Sequence, residues 1–213
     1  LDHDVRARNF SMAADNGSIT VTHKIDASGI TGGKIALTSR DSLTLKNGAA
    51  LTVAAEKFDS AGKGGSILLE AGTQRDGIPN LFAILGIKSG ASLDLSVAEF
   101  KPGKYDTVGS SAFEGKFTGT LHLRAPRTAE NDGVLIDPIA GNVKGASSIL
   151  AEGFKVIPEG FKITYKEQLT SKNKDTGEDT ITIVDRDAEL INGVLNKGLR
   201  DYINWDAKQF LGT

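Results

Sequence analysis

Cysteine is absent from the 213 residues. Its absence excludes thiolate nucleophiles, thiolate metal sites, thiol-based redox sensing and a disulfide-stapled scaffold. It also suits a chain that crosses an oxidising compartment unfolded, since no wrong disulfide can form. Aromatic residues are scarce, at 6%, and there is a single Trp. An excess of charge of either sign is missing too: 25 Lys and Arg stand against 27 Asp and Glu, a formal net charge of -2. That balance gives no reason to expect nucleic acid or an anionic membrane as a partner. The stretch from Lys162 to Lys174 is locally basic, but acids are mixed into it. No apolar run approaches the ~18 residues of a membrane span. The opening L1-DHDVRARNF has neither an initiator Met nor the apolar stretch of a signal peptide. The chain is therefore expected to be a piece of a longer polypeptide whose targeting signals lie elsewhere.

Glycine, by contrast, is plentiful: 25 of 213 residues, about 12%, against a usual ~7%. There is no Gly-X-Y period, so collagen is excluded. The glycines instead introduce a recurring phrase of alternating apolar and polar residues: G17-SITVT, G33-KIALT, G48-AALTV, G65-SILLE, G90-ASLDL and G119-TLHLR. The first four starts are offset by 16, 15 and 17 residues. Each phrase has the two-residue period of a strand with one buried face. A strand of that length cannot bury its face alone, and stacking one unit on the next makes a continuous apolar interior.

The pattern predicts an all-β chain, a parallel β-solenoid over residues 17–157, with Ile35, Leu37, Leu43, Leu45, Leu51, Val53, Ile67 and Leu69 inside. Residues 1–16 are expected to be a boundary or partial cap. N47-G48 is a turn signal that also fits an antiparallel hairpin; the recurrence of the phrase favours the solenoid. Residues 99–118, irregular and holding Phe100, Tyr105, Phe113 and Phe117, are expected to form a loop outside the repeat. Ile139, Val143 and Ile149 continue the pattern. Residues 158–213 follow another grammar. Two alternating segments, Phe161–Tyr165 and Thr180–Val184, flank the polar stretch S171-KNKDTGED and predict a β-hairpin with an exposed tip. Leu190, Ile191, Val194, Leu195, Leu199 and Ile203 then recur at helical spacing, predicting a helix within 187–203 with Asp187 as its cap.

The stretch G33-KIALTSRDSLTLKNGAALTVAAEKFDSAGKGGSILLEAG resembles the large haemagglutinin-like exoproteins of Gram-negative bacteria, the filamentous haemagglutinin type. G119-TLHLRAPRTAENDGVLIDPIAGNVKGASSILAEGFKVI resembles them more distantly, so that the likeness spans roughly residues 17–160. The resemblance implies a right-handed parallel β-helix and a very long parent protein exported to the cell surface. It implies a non-enzymatic role in adhesion, self-association or biofilm, with an outer-membrane secretion partner for the parent. Host or neighbouring-cell glycans or proteins are the partners it implies. The N-P-N-G and N-P-x-G-I phrases of the family's secretion domain do not occur here, which points to shaft or distal passenger.

The alternative is a polysaccharide-binding or polysaccharide-processing β-helix. Solenoids that cleave pectin use exposed carboxylates, calcium and an arginine on one face. Asp94, Arg124, Arg127, Asp132 and Asp137 are the candidates here for such a glycan or partner surface. General acid–base work on a sugar needs two carboxyl groups at a defined separation of ~5–9.5 Å, and no such pair is fixed by the sequence. An ordinary charged outer face is the preferred reading, with no catalytic residue. His3, His23 and His122 are scattered, and no H-E-x-x-H occurs. No cofactor is expected, and incidental weak calcium binding at D175-TGED is the one metal interaction left open. L81-FAILGI is either side packing, the preferred reading, or an exposed contact surface. The outward Thr20, Thr22, Thr38, Thr44 and Thr52 are plain solvent-facing strand positions or a weak glycan surface.

Overall fold

A computed structural model describes residue 1 and residues 3–73, 80–98, 119–157, 159–173, 176–190 and 197–211. The expected loop at 99–118 and Asp175 lie outside the described residues. The chain divides into two compact units, Leu1–Lys155 and Val156–Thr213. It is mostly β, with parallel sheets.

The first unit holds three parallel sheets. One contains β1 (Val5–Arg6), β4 (Lys24–Asp26), β7 (Ala50–Thr52), β10 (Ser92–Asp94) and β12 (Asn142–Lys144), in that spatial order. The second contains β2 (Asn9–Ala14), β5 (Lys34–Ser39), β8 (Ser66–Ala71), β11 (Gly119–Pro126) and β13 (Ala146–Phe154). The third contains β3 (Ile19–Val21), β6 (Leu43–Leu45) and β9 (Leu85–Ile87), prolonged by an isolated bridge from Leu85 to Ile136. The chain visits the second, third and first sheets in turn, then begins again. The N47-G48 turn thus joins strands of two different sheets, and no hairpin forms there.

Register explains the alternation. In the second sheet Phe10, Ile35, Ile67, Leu121 and Ile149 are successive partners, as are Met12, Leu37, Leu69, Leu123 and Ala151. In the third, Val21 aligns with Leu45 and Leu45 with Ile87. In the first, Ile25, Leu51, Leu93 and Val143 follow one another. All eight residues expected inside are buried. Each such aliphatic side chain contributes about 1.5–3 kcal/mol on burial. Thr20, Thr22, Thr38, Thr44 and Thr52 are half-buried on the opposite faces. The stack thins at β13, which has one neighbour in its sheet. There Ile149 is 51% exposed, although its partner Leu121 is 1% exposed. Residues 5–14, read as a boundary or partial cap, carry the strands β1 and β2.

The glycine phrases do not stack one on the next. G33, G65 and G119 precede strands of the second sheet, G48 and G90 strands of the first, and G17 a strand of the third. The 16-residue offset is therefore a spacing between strands of different sheets, shorter than the structural repeat. Close approach fixes three of these residues: a Cβ at Gly33 would lie 2.2 Å from the Ala27 carbonyl oxygen, at Gly65 2.5 Å from Val53 Cβ, and at Gly119 2.5 Å from Leu95 Cβ. Ala27, Val53 and Leu95 are fully buried at the ends of the preceding strands.

The second unit is an antiparallel hairpin and a helix. β14 (Lys162–Lys172) pairs with β15 (Asp179–Glu189) in unbroken register from Lys162↔Glu189 to Lys172↔Asp179. α1 spans Lys197–Leu211. Of the helix expected within 187–203, the part from Lys197 on is helical and Ile191, Val194 and Leu195 lie outside the described residues, whereas Asp187 sits in β15, where its Oδ1 accepts from the Thr164 hydroxyl at 2.7 Å rather than capping a helix. Cross-strand pairing carries the β alternation through Glu189, overriding the helical spacing of Leu190. The buried helical stripe is also more aromatic than expected. Leu199 and Tyr202 are buried with Tyr165 and Ala188, Trp205 packs against them, and Ile203 is left 38% exposed.

Candidate functional site

The outer face of the second sheet carries a cluster of charge. Register places Arg124 of β11 between Glu70 of β8 and Glu152 of β13. Arg124 Nη1 donates to Glu70 Oε1 at 2.6 Å and its Nε to Glu152 Oε1 at 2.9 Å. His122 Nε2 lies 2.9 Å from Glu152 Oε2, the Thr73 hydroxyl donates to Glu70, and the guanidinium lies 4.6 Å from the centre of the Phe154 ring. The hydrogen bond from Arg124 holds the Glu152 carboxyl below its ordinary range despite partial burial, helped by the Arg124 charge and His122. Burial opposes the charged form of Arg124, yet Glu152 and Glu70 outweigh it and push the guanidinium up.

A second column runs along the outer face of the first sheet, with Arg6, Asp26, Thr52, Asp94 and Lys144 in register. Asp26 Oδ2 lies 2.8 Å from Lys24 Nζ, and its Oδ1 accepts from the Ser28 N–H at 3.0 Å. Lys24 and then Ser28 hold the Asp26 carboxyl far below the ordinary aspartate range. The corner recurs at Asp94, which accepts from the Ser96 N–H at 3.0 Å and faces Lys144 at 3.6 Å. Burial raises Asp94, but Ser96 and Lys144 prevail and its carboxyl is lowered.

The five sequence candidates are dispersed over these surfaces. Asp94 belongs to the first sheet and Arg124 to the second. Arg127 and Asp132 share the loop after β11, where Arg127 Nη1 donates to Asn131 Oδ1 at 3.2 Å and the Thr128 hydroxyl donates to Asp132 Oδ1 at 2.6 Å. Asp137 follows the bridge to the third sheet and meets Lys88 Nζ at 2.5 Å. Glu70 and Glu152 were missed. A signal for Glu70 was present: G65-SILLE and G119-TLHLR end on Glu70 and Arg124 at the same offset, so stacking those phrases pairs opposite charges.

Chemically, the Glu152, Asp94 and Asp26 carboxyls are each held below their ordinary range and are ionised at neutral pH. A general acid needs the opposite shift. The His3 and His23 rings lie 6.4 Å apart, while His122 belongs to the Glu152 cluster. Among the described residues no group of three His, Asp or Glu side chains is placed to hold a metal ion. No helix among them is long and apolar enough to cross a membrane. L81-FAILGI divides between its two readings: Ala83, Leu85 and Ile87 are buried, whereas Leu81, Phe82 and Ile84 are exposed, Phe82 at 82%. Comparisons with protein-family models, with curated proteins and with solved structures each found no match to this chain.

Proposed function

We propose that Leu1–Lys155 is a right-handed parallel β-helix and that the chain is a non-enzymatic structural and adhesive segment of a large secreted surface protein of a Gram-negative bacterium. The parent is of the filamentous haemagglutinin type, and its task is attachment to glycans or proteins of a host or neighbouring cell. The observation that carries this reading is the in-register stacking of equivalent side chains through successive passes of the chain, Phe10, Ile35, Ile67, Leu121 and Ile149. Such a stack extends by repetition and builds length with no need of a pocket. The outer charges support it, because Arg124, Asp26, Asp94 and Asp137 are engaged with neighbours on their own faces.

The test uses the whole chain coupled to beads and offered to epithelial and bacterial cells, beside a polysaccharide-turnover screen of the free chain. Adherence above that of albumin-coated beads, with no release of reducing ends, is expected. Turnover abolished by D94N, D132N or D137N would overturn the proposal in favour of a polysaccharide-processing enzyme.

A further inference from the structure

Clefts open among the described residues of the second unit. One at the base of the hairpin, about 530 Å³, is lined by side chains that already satisfy one another: Lys162 with Glu189 at 3.0 Å and Thr164 with Asp187 at 2.7 Å. Another, about 460 Å³, lies between α1 and β14, along Lys166, Glu167 and Gln168. That volume is within the range of small-molecule sites. Its helical wall is a single stripe, Asp201, Asn204, Trp205, Lys208 and Gln209, at the i, i+3, i+4, i+7 and i+8 spacing that puts side chains on one face.

We propose that this groove binds a saccharide, with a pyranose ring laid against Trp205. The indole is half-buried, and its orientation is fixed by Tyr165, ring centres 4.8 Å apart, and Tyr202, 6.0 Å apart. An aromatic surface held in this way receives an apolar ring face without losing side-chain freedom on binding. A sugar also carries hydroxyls around its rim, and each needs a donor or an acceptor. Glu167 and Asp201 supply acceptors held in place by Arg186 at 2.9 Å and Lys197 at 2.6 Å. Asn204 and Gln209 flank Trp205 and are exposed, and among the described residues their amides make no side-chain hydrogen bond. Each amide offers two donors and an acceptor, which suits a hydroxyl that does both. The mixture of two carboxylates with lysines does not suit a polyanion such as nucleic acid. The inference is argued from the residues of the second unit alone and does not rest on the attachment reading of the chain, so its failure leaves that reading, tested by adherence, standing.

Trp205 is the only tryptophan of the chain, so intrinsic emission reads this groove alone. The test titrates the whole chain with cellotetraose, chitotetraose and xylotetraose, following Trp emission and, in parallel, calorimetric heat. At least one is expected to give a saturable response with a dissociation constant below about 1 mM. The double variant N204A/Q209A removes two exposed side chains, and its far-UV spectrum should match the parent. It is expected to weaken binding about tenfold, from two hydrogen bonds of ordinary strength. No response to any of the three by either readout up to about 10 mM, or binding unchanged in the double variant, overturns the proposal.

Discussion

At the scale of single residues, alternation made the interior legible and left the outer partnerships obscure. Ile35, Leu37, Ile67 and Leu69 could be assigned inward because a two-residue period leaves only two faces. Arg124 could be seen, but its partner Glu70 stands 54 residues away, and only stacking G119-TLHLR on G65-SILLE, two phrases that are not consecutive, brings them together. Asp26 shows what such outer pairs contribute. Its side chain is 12% exposed and bonded to Lys24 and Ser28. The folded protein holds its carboxyl below the ordinary 3.8, so in acid the unfolded chain binds the proton first. The stabilisation is therefore complete above the ordinary value and is lost as pH falls through the folded value. The variant D26N should be less stable than the parent at pH 7 by about 2 kcal/mol, the scale of hydrogen bonds to a charged group. The difference should shrink as pH falls below 3.8. Urea unfolding followed by far-UV circular dichroism at several pH values measures it, and a gap constant with pH would refute the assignment.

At the scale of elements, the glycine phrases marked strands correctly but not the period of the architecture. The phrase records a local need, close approach at Gly33, Gly65 and Gly119 and a left-handed backbone at Gly17, Gly48 and Gly90, and such needs arise at corners of all three sheets. It therefore recurs more often than the repeat itself. The helix boundary failed for a related reason. Leu190, Leu199 and Ile203 suggested one long stripe, yet Leu190 donates its N–H to the Phe161 carbonyl at 2.9 Å and closes the hairpin. Tyr202 and Trp205, which outweigh the aliphatics in area, set the buried face instead. The corner argument predicts a contrast between two glycines. Gly65→Ala drives a methyl to 2.5 Å from both the Cβ and the carbonyl oxygen of Val53. Overpacking of that kind costs about 1–3 kcal/mol. Gly133→Ala meets only Thr128, at 3.4 Å, and should change stability by less than about 0.5 kcal/mol. Equal denaturation midpoints for the two variants would show that the corner yields, and that close packing is not why glycine stands there.

At the scale of the whole molecule, the change of grammar near residue 158 falls close to the division at Lys155 and Val156. What the sequence could not convey is how different the two interiors are. That of the first unit is aliphatic and small-residue, built from Ile, Leu, Val and Ala, while that of the second is a cluster of Phe161, Tyr165, Tyr202 and Trp205. The two core clusters share no residue. A unit of fewer than 60 residues, Val156–Thr213, hides only about 60% of the surface its unfolded chain exposes, against about 70% for one near 150 residues. The smaller unit should therefore unfold first. The experiment needs no truncation, because Trp205 reports the second unit alone, while hydrogen exchange of the backbone amides of β5 and β8, read by mass spectrometry, reports the first. In urea the Trp emission transition is expected at lower denaturant than the loss of amide protection in β5 and β8, which is the signature of departure from two-state behaviour. Superimposable curves would mean that the two cores are thermodynamically one, and that the second unit takes its stability from the first.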